Sequence, residues 1–184
     1  MVELVLARYK EDISWCNQIF GCKITVYNKF QGCNLLPNIG YEAHTYLHHI
    51  VANYDSLADV TVFSQASLHG HIQTEEFVTQ LKMLRKFRYD SFFQTYFCAK
   101  DGSPHHFGLQ IESFWKNLFG TDCPDYLEFH PFGIFSVPAR VIRNKPLEFY
   151  QRAMQMTKSK SDACIMERLW KHIFDGFCQK IKLL

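Results

Sequence analysis

Long apolar runs are missing from this chain of 184 residues. Nowhere does it hold the ~18 consecutive apolar residues that a bilayer-crossing helix needs, and its opening residues form a charged strand rather than a secretory leader, so no membrane segment is expected. A surplus of either charge is missing too. The formal net charge of +2 with neutral histidines gives no field of the kind that nucleic acid or an anionic membrane surface calls for. The local basic group Lys82, Arg85, Lys86 and Arg88 reads as the solvated face of a helix. Cys-x-x-Cys pairs are absent, and the seven cysteines are odd in number and scattered. That excludes a secreted disulfide framework and implies a reduced, cytoplasmic compartment. Repeats, low-complexity tracts and domain linkers are also lacking, so the chain is expected to form a single domain. Among catalytic signatures, His-Glu-x-x-His, a Walker loop, a dinucleotide-type glycine fingerprint and a nucleophile elbow are all missing.

What is present is an apolar fraction of 47% and a charged fraction of 21%, the composition of a chain that folds around one core. Val2 to Ala7 is a short aliphatic run that breaks into polar residues, as a buried strand does at its end. Glu11 to Phe20 has apolar residues at helical spacing with Gly21 as a stop, and Lys23 to Tyr27 reads as a second strand. Together they predict a βαβ unit and therefore an α/β fold with a mostly parallel central sheet flanked by helices. Asn28 to Asn38 reads as a loop, Glu42 to Tyr54 as an amphipathic helix and Asp59 to Phe63 as a third strand. Thr74 to Phe87 predicts a helix with Thr74 as its N-cap, and another helical segment falls within Ser103 to Gly120. Gly133 to Val137 is a strand, Pro146 to Met156 and Cys164 to Lys180 are closing helices, and residues 158–163 form a short loop between them.

In open α/β sheets ligands gather at the carboxyl ends of the strands. Arg8, Tyr9, Asn28, Lys29, Gln65 and the histidines that follow are therefore expected to converge on one crevice. Of the nine histidines, His44 and His48 share a helix face and read as structural or solvent-facing. His69 and His71 follow a strand end, where alternating residues of an extended loop can both face a cation, and His130 is a distant third donor. Glu11, Asp12, Glu42, Asp122, Asp125 and Glu167 are the acid/base candidates. Glu167 stands either in a surface ion pair or toward the crevice, with Leu169 and Ile173 anchoring its helix.

The segments VELVLARYKEDISW, ITVYNK, LPNIGYEAHTYLHHIVANYDSLADVTVFSQ, GIFSVPARVIRNKPLEFY and ERLWKHIF occur in that order over nearly the whole chain. Together they resemble the family of domain of unknown function 3431, which is similar in turn to nucleotide-sugar glycosyltransferases of GT-A type. The resemblance implies a single Rossmann-like GT-A domain that moves a sugar from a UDP- or GDP-linked donor to a carbohydrate or glycoprotein acceptor. On that mapping Ala7, Arg8, Tyr9, Asn28 and Lys29 border the nucleoside, and Glu42, Thr45, Ser64 and Gln65 face the same pocket. The segment from Gly133 to Ile142 lies beside the acceptor, and Glu167 takes the late-helix position of a catalytic base. A divalent cation, manganese or magnesium, grips the diphosphate in such enzymes, usually through an Asp-x-Asp after the central strand. Here Phe63-Ser64-Gln65 stands in its place, leaving the metal to Gln65, His69, His71 or His130, or the leaving group to Arg and Lys, or the protein without activity. Tyr41 stands where that mapping expects a basic residue. A noncatalytic nucleotide- or sugar-binding domain and a histidine-metal hydrolase are the competing expectations.

Overall fold

The computed structural model describes residues 1–68, 70–84 and 89–175. Its main sheet has five strands in the order β2-β1-β3-β7-β4. These are β1 (Val2–Arg8), β2 (Lys23–Asn28), β3 (Val60–Gln65), β7 (Phe135–Pro138) and the two-residue β4 (Asp90–Ser91). β1 lies between β2 and β3 and is parallel to both. β7 runs against β3 and β4 runs against β7, so four of the five strands share one direction. A separate antiparallel pair joins β5 (Tyr96–Ala99) to β6 (Tyr126–Phe129).

The sheet divides its side chains between two apolar layers because successive residues of a strand point to opposite faces. Val5, Ala7 and Phe63 face one layer and Leu4, Leu6 and Val62 the other. The first layer takes up α1 (Tyr41–Ala52), α3 (Ile111–Phe119), α5 (Leu147–Met156) and α6 (Lys160–Asp175), and the second takes up Phe77 of α2 (Thr74–Lys82). A short α4 (Ala139–Ile142) follows β7. Aromatic rings tie the first layer together: Tyr46 lies 5.0 Å from Phe63, Phe63 5.4 Å from Phe135 and Phe135 5.3 Å from Trp170. This stack seats α1 and α6 on the same face of the sheet, each with a glutamate toward its carboxyl edge.

Strands β1, β2, β3 and β7 form where the apolar runs predict them, and helices α1, α2, α3, α5 and α6 overlap their predicted spans. Four details differ. The predicted helix from Glu11 to Phe20 is only a 3-10 turn at Ser14–Gln18. Asp12 accepts from the Ser14 N–H at 3.0 Å and its hydroxyl at 2.5 Å, and the Trp15 indole donates to Ala66 O at 3.1 Å, so side chains hold a tight turn in place of a helix. The N-cap of α2 is Gln73, with Thr74 already helical. The loop predicted at 158–163 is partly helix, since Ser159 and Asp162 exchange hydrogen bonds (Ser159 N–H to Asp162 at 2.8 Å, Asp162 N–H to Ser159 Oγ at 3.2 Å) and start α6 at Lys160. β4, β5 and β6 were not expected, being too short to announce themselves. The predicted helical stretches at 85–87 and 176–180 lie outside the described residues. Among the described residues no helix is long and apolar enough to cross a membrane.

Candidate active site

At the carboxyl edge of β1 and β2 the chain spends its polar groups on its own loops. Arg8 pairs in register with Asn28 and donates to Asn28 Oδ1 at 3.0 Å and to Glu11 O at 2.8 Å. Asn28 donates onward to Cys33 O at 2.6 Å. Glu11 accepts from the amides of Tyr9 and Lys10, at 2.6 and 3.1 Å. Lys29 is buried, and its ammonium donates to the carbonyls of Ile39 and Tyr41. Burial pulls the Lys29 pKa down to about 8, against the opposing pull of Glu42. Beyond them Tyr9 and Phe30 are exposed, 5.5 Å apart, with the Lys10 ammonium 4.1 Å from the Phe30 ring centre.

Next to β1, Ala7 pairs in register with Gln65, and Ala7 O accepts from the Ala66 N–H at 2.9 Å. Ser64 is fully buried and donates to Gln65 O at 2.8 Å. Thr45 is fully buried on α1 and its hydroxyl has no partner.

Two carboxylates meet over a turn that enters β7. A Cβ placed on Gly133 would lie 3.7 Å from Glu42 Oε1 and 3.9 Å from Tyr46 Cε2. The neighbouring amide, that of Phe132, donates to Glu167 Oε2 at 3.0 Å. Burial raises the pKa of both glutamates, and the Glu167 charge raises Glu42 further. Arg168, 1% exposed, works the other way on Glu167, to which it donates at 2.6 Å. The same guanidinium donates to Cys164 O at 2.8 Å and to His106 Nδ1 at 2.7 Å, and it lies 4.6 Å above the Phe129 ring. Tyr46, one turn along α1 from Glu42, is fully buried with an unpartnered hydroxyl.

The histidines are placed differently. His71 packs its ring 4.4 Å from Phe132, and its Nδ1 is buried without a partner. His130 donates from Nδ1 to Phe93 O at 3.2 Å and faces the Tyr89 ring. Burial lowers the pKa of both. His69 lies outside the described residues. Among the described residues no group of three or more His, Cys, Asp or Glu side chains could hold a metal ion.

The structure thus brings together Arg8 with Asn28, Ala7 with Gln65, Lys29 with Glu42, and Glu42 with Glu167. Of the other acidic candidates, Asp12 accepts from Ser14 at the start of the 3-10 turn and Asp125 lies 3.6 Å from the Lys100 ammonium. Sequence reasoning noticed Arg168 only as the neighbour of Glu167 on an amphipathic helix, and it did not place His106, Tyr46 or Phe132 at the site. Two surface clefts of about 240 and 180 Å³ lie elsewhere, the first between α2, β4 and β7 and the second between β1, α2 and residues 19–22.

The family model described as protein of unknown function (DUF3431) matches residues 4–182. Neither a curated protein nor a solved structure matches the chain.

Proposed function

The chain belongs to the DUF3431 family, and from that premise we propose that it is a glycosyltransferase of GT-A type, moving a sugar from a nucleotide-sugar donor to a hydroxyl of a carbohydrate or glycoprotein acceptor. The observation that carries this reading is Glu167. Its carboxylate is held by one backbone amide and one buried guanidinium at the carboxyl edge of a mostly parallel sheet, where ligands of such sheets bind. Burial raises its pKa while Arg168 keeps it available as an anion, the balance a general base needs near neutral pH.

In the reaction Glu167 takes the proton of the acceptor hydroxyl as that oxygen attacks the anomeric carbon of the donor. The bond to the nucleoside diphosphate breaks and the diphosphate leaves with the electron pair. The donor's UDP or GDP lies along the ends of β1 and β2. Lys10 and Arg8 supply positive charge there, and the exposed Tyr9 and Phe30 rings offer apolar faces for the base.

Among the described residues the candidate ligands do not fit a resident divalent cation. Gln65 is neutral, His130 already uses one ring nitrogen, and His71 is packed against Phe132. Manganese or magnesium would then arrive only as an ion carried in on the donor's diphosphate.

Calorimetry with UDP, GDP and their sugars, with and without manganese, tests the reading. Binding of one nucleotide family is expected, and no binding of any would sink it. Slow hydrolysis of the bound donor should fall at least about tenfold in Glu167→Gln; an unchanged rate would remove Glu167 from the chemistry.

A further inference from the structure

The segment between β5 and α3 is folded tightly on itself. The Gly102 amide donates to Ala99 O at 2.9 Å, the His105 and His106 amides return to Gly102 O at 3.1 and 2.9 Å, and the Leu109 amide donates to Asp101 O at 2.9 Å. Asp101 accepts from the amide and the hydroxyl of Ser103 at 3.0 and 2.9 Å. Gly102 has a φ of 89°, and a Cβ there would run into His106 O, so the position takes glycine. The His105 ring lies 5.5 Å from Tyr96 and 5.7 Å from Phe129. What this turn presents to α6 is His106, an exposed residue whose Nδ1 accepts from Nη2 of the buried Arg168 at 2.7 Å.

The hydrogen bonds of Nη1 run within its own helix, to Cys164 O at 2.8 Å and to Glu167 Oε1 at 2.6 Å. Both acceptors turn with α6, so they fix nothing relative to the rest of the fold. The Phe129 ring, centred 4.6 Å away, bears on the flat face of the guanidinium and leaves it free to turn in its own plane. The bond to His106 stops that turning. The Glu167 carboxylate is thereby held from two directions outside α6: Oε2 by the Phe132 amide and Oε1, through Arg168, by His106. We propose that His106 is a positioning residue for Glu167, acting by locking the Arg168 guanidinium in the orientation that meets Oε1. That this orientation serves a base rests on the transferase reading; the positioning itself does not.

The charged and titratable groups that Glu167 faces are Arg168 on its own helix, His106, and Glu42 on α1, with the Cys98 and Cys164 thiols beside them. A carboxylate whose cation drifts away is harder to ionise. Carbon-detected NMR titration of the carboxyl groups of the full chain, with the Glu167 signal identified by its loss in Glu167→Gln, tests the positioning. In His106→Leu the Glu167 midpoint should rise by at least about half a pH unit. In His106→Asn, whose Oδ1 takes the place of Nδ1 as acceptor, the rise should fall well short of that. His106 is exposed, so neither variant removes a part of the core. An unmoved midpoint in His106→Leu would overturn the positioning, as would a rise just as large in His106→Asn. The acid limb of donor hydrolysis should move with the midpoint while KM for the donor stays within about twofold. Hydrolysis absent from the parent chain, with the midpoint shift intact, overturns the transferase and leaves the positioning standing. Hydrolysis present with no midpoint shift overturns the positioning alone.

Discussion

Arg168 donates a hydrogen bond of 2.7 Å to Nδ1 of His106, although 62 residues separate them in sequence. A guanidinium has only donors, so this nitrogen of His106 carries no proton and its neighbour Nε2 must. The contact holds Nη2 of the guanidinium while Nη1 serves Glu167. Removing a buried cation leaves its carboxylate uncompensated, which costs about 3 kcal/mol or more. Arg168→Met should therefore lower stability by about that amount in urea unfolding, although its volume and apolar contacts with Phe129 are largely kept. A loss under about 1 kcal/mol would show that Glu167 does not depend on it.

Glu42→Gln and Glu167→Gln should move stability by different amounts at neutral pH. Burial and the Glu167 charge both raise Glu42, so its folded state holds a proton more readily than the unfolded one. Stability is lost as pH rises from the unfolded pKa through the raised folded one. A neutral amide removes that loss, and Glu42→Gln should gain about 1 kcal/mol. Burial raises Glu167 too, but Arg168 pulls against it, so Glu167→Gln should gain less than Glu42→Gln. Denaturant unfolding of the two variants side by side checks the contrast.

Burial pushes His44 down to about 4, helped by the charges of Lys29, Lys158 and His48. His49 is also brought to about 4 by burial, against the pull of Glu3. Unfolded histidines take up protons near pH 6.5, whereas these two stay neutral in the fold to about pH 4. The unfolded state binds more protons in that window, so stability is fully present above it and falls as pH drops from about 6.5 toward 4. Ring-proton NMR of the two histidines should show no titration until the lower end; a midpoint near 6.5 would contradict it.

Gly40→Ala should be among the most damaging small substitutions in the chain. Its Cβ would lie 2.5 Å from Thr157 O and 2.9 Å from His44 Cβ, at a φ of 55°. The Gly40 amide also donates to Lys158 O at 2.9 Å, so the start of α1 cannot withdraw without breaking its tie to the loop before α6. A loss of about 3 kcal/mol is expected in thermal or urea unfolding.

The central strands were legible because β1 and β3 are buried on both faces and so read as continuous aliphatic runs. The edge where polar residues converge followed from where those runs stop. The 3-10 turn was hidden because Ile13, Cys16, Ile19 and Phe20 have helical spacing, while Asp12, whose side chain decides the local outcome, looks like any exposed acid. β5 and β6 escaped because they pair across the whole of α3, with no tight turn to mark them. Glu167 and Glu42 could be named one by one. Their meeting over Phe132 and Gly133 could not, since it depends on how α1 and α6 pack against the sheet through Tyr46, Phe63, Phe135 and Trp170.

The strand order sets a timetable for synthesis. β1, β2 and β3 come first in the chain and lie side by side in the sheet with β1 in the middle, so the parallel trio can assemble once Gln65 has emerged. β4 emerges next and then waits, because its sheet partner β7 comes only at Phe135. Arg8, Asn28, Lys29 and Glu42 have all been made before that interval, but Glu167 arrives only with α6. A ribosome-bound chain therefore carries Glu42 well before Glu167 exists, and the pair of carboxylates over Phe132 and Gly133 is complete only when α6 docks.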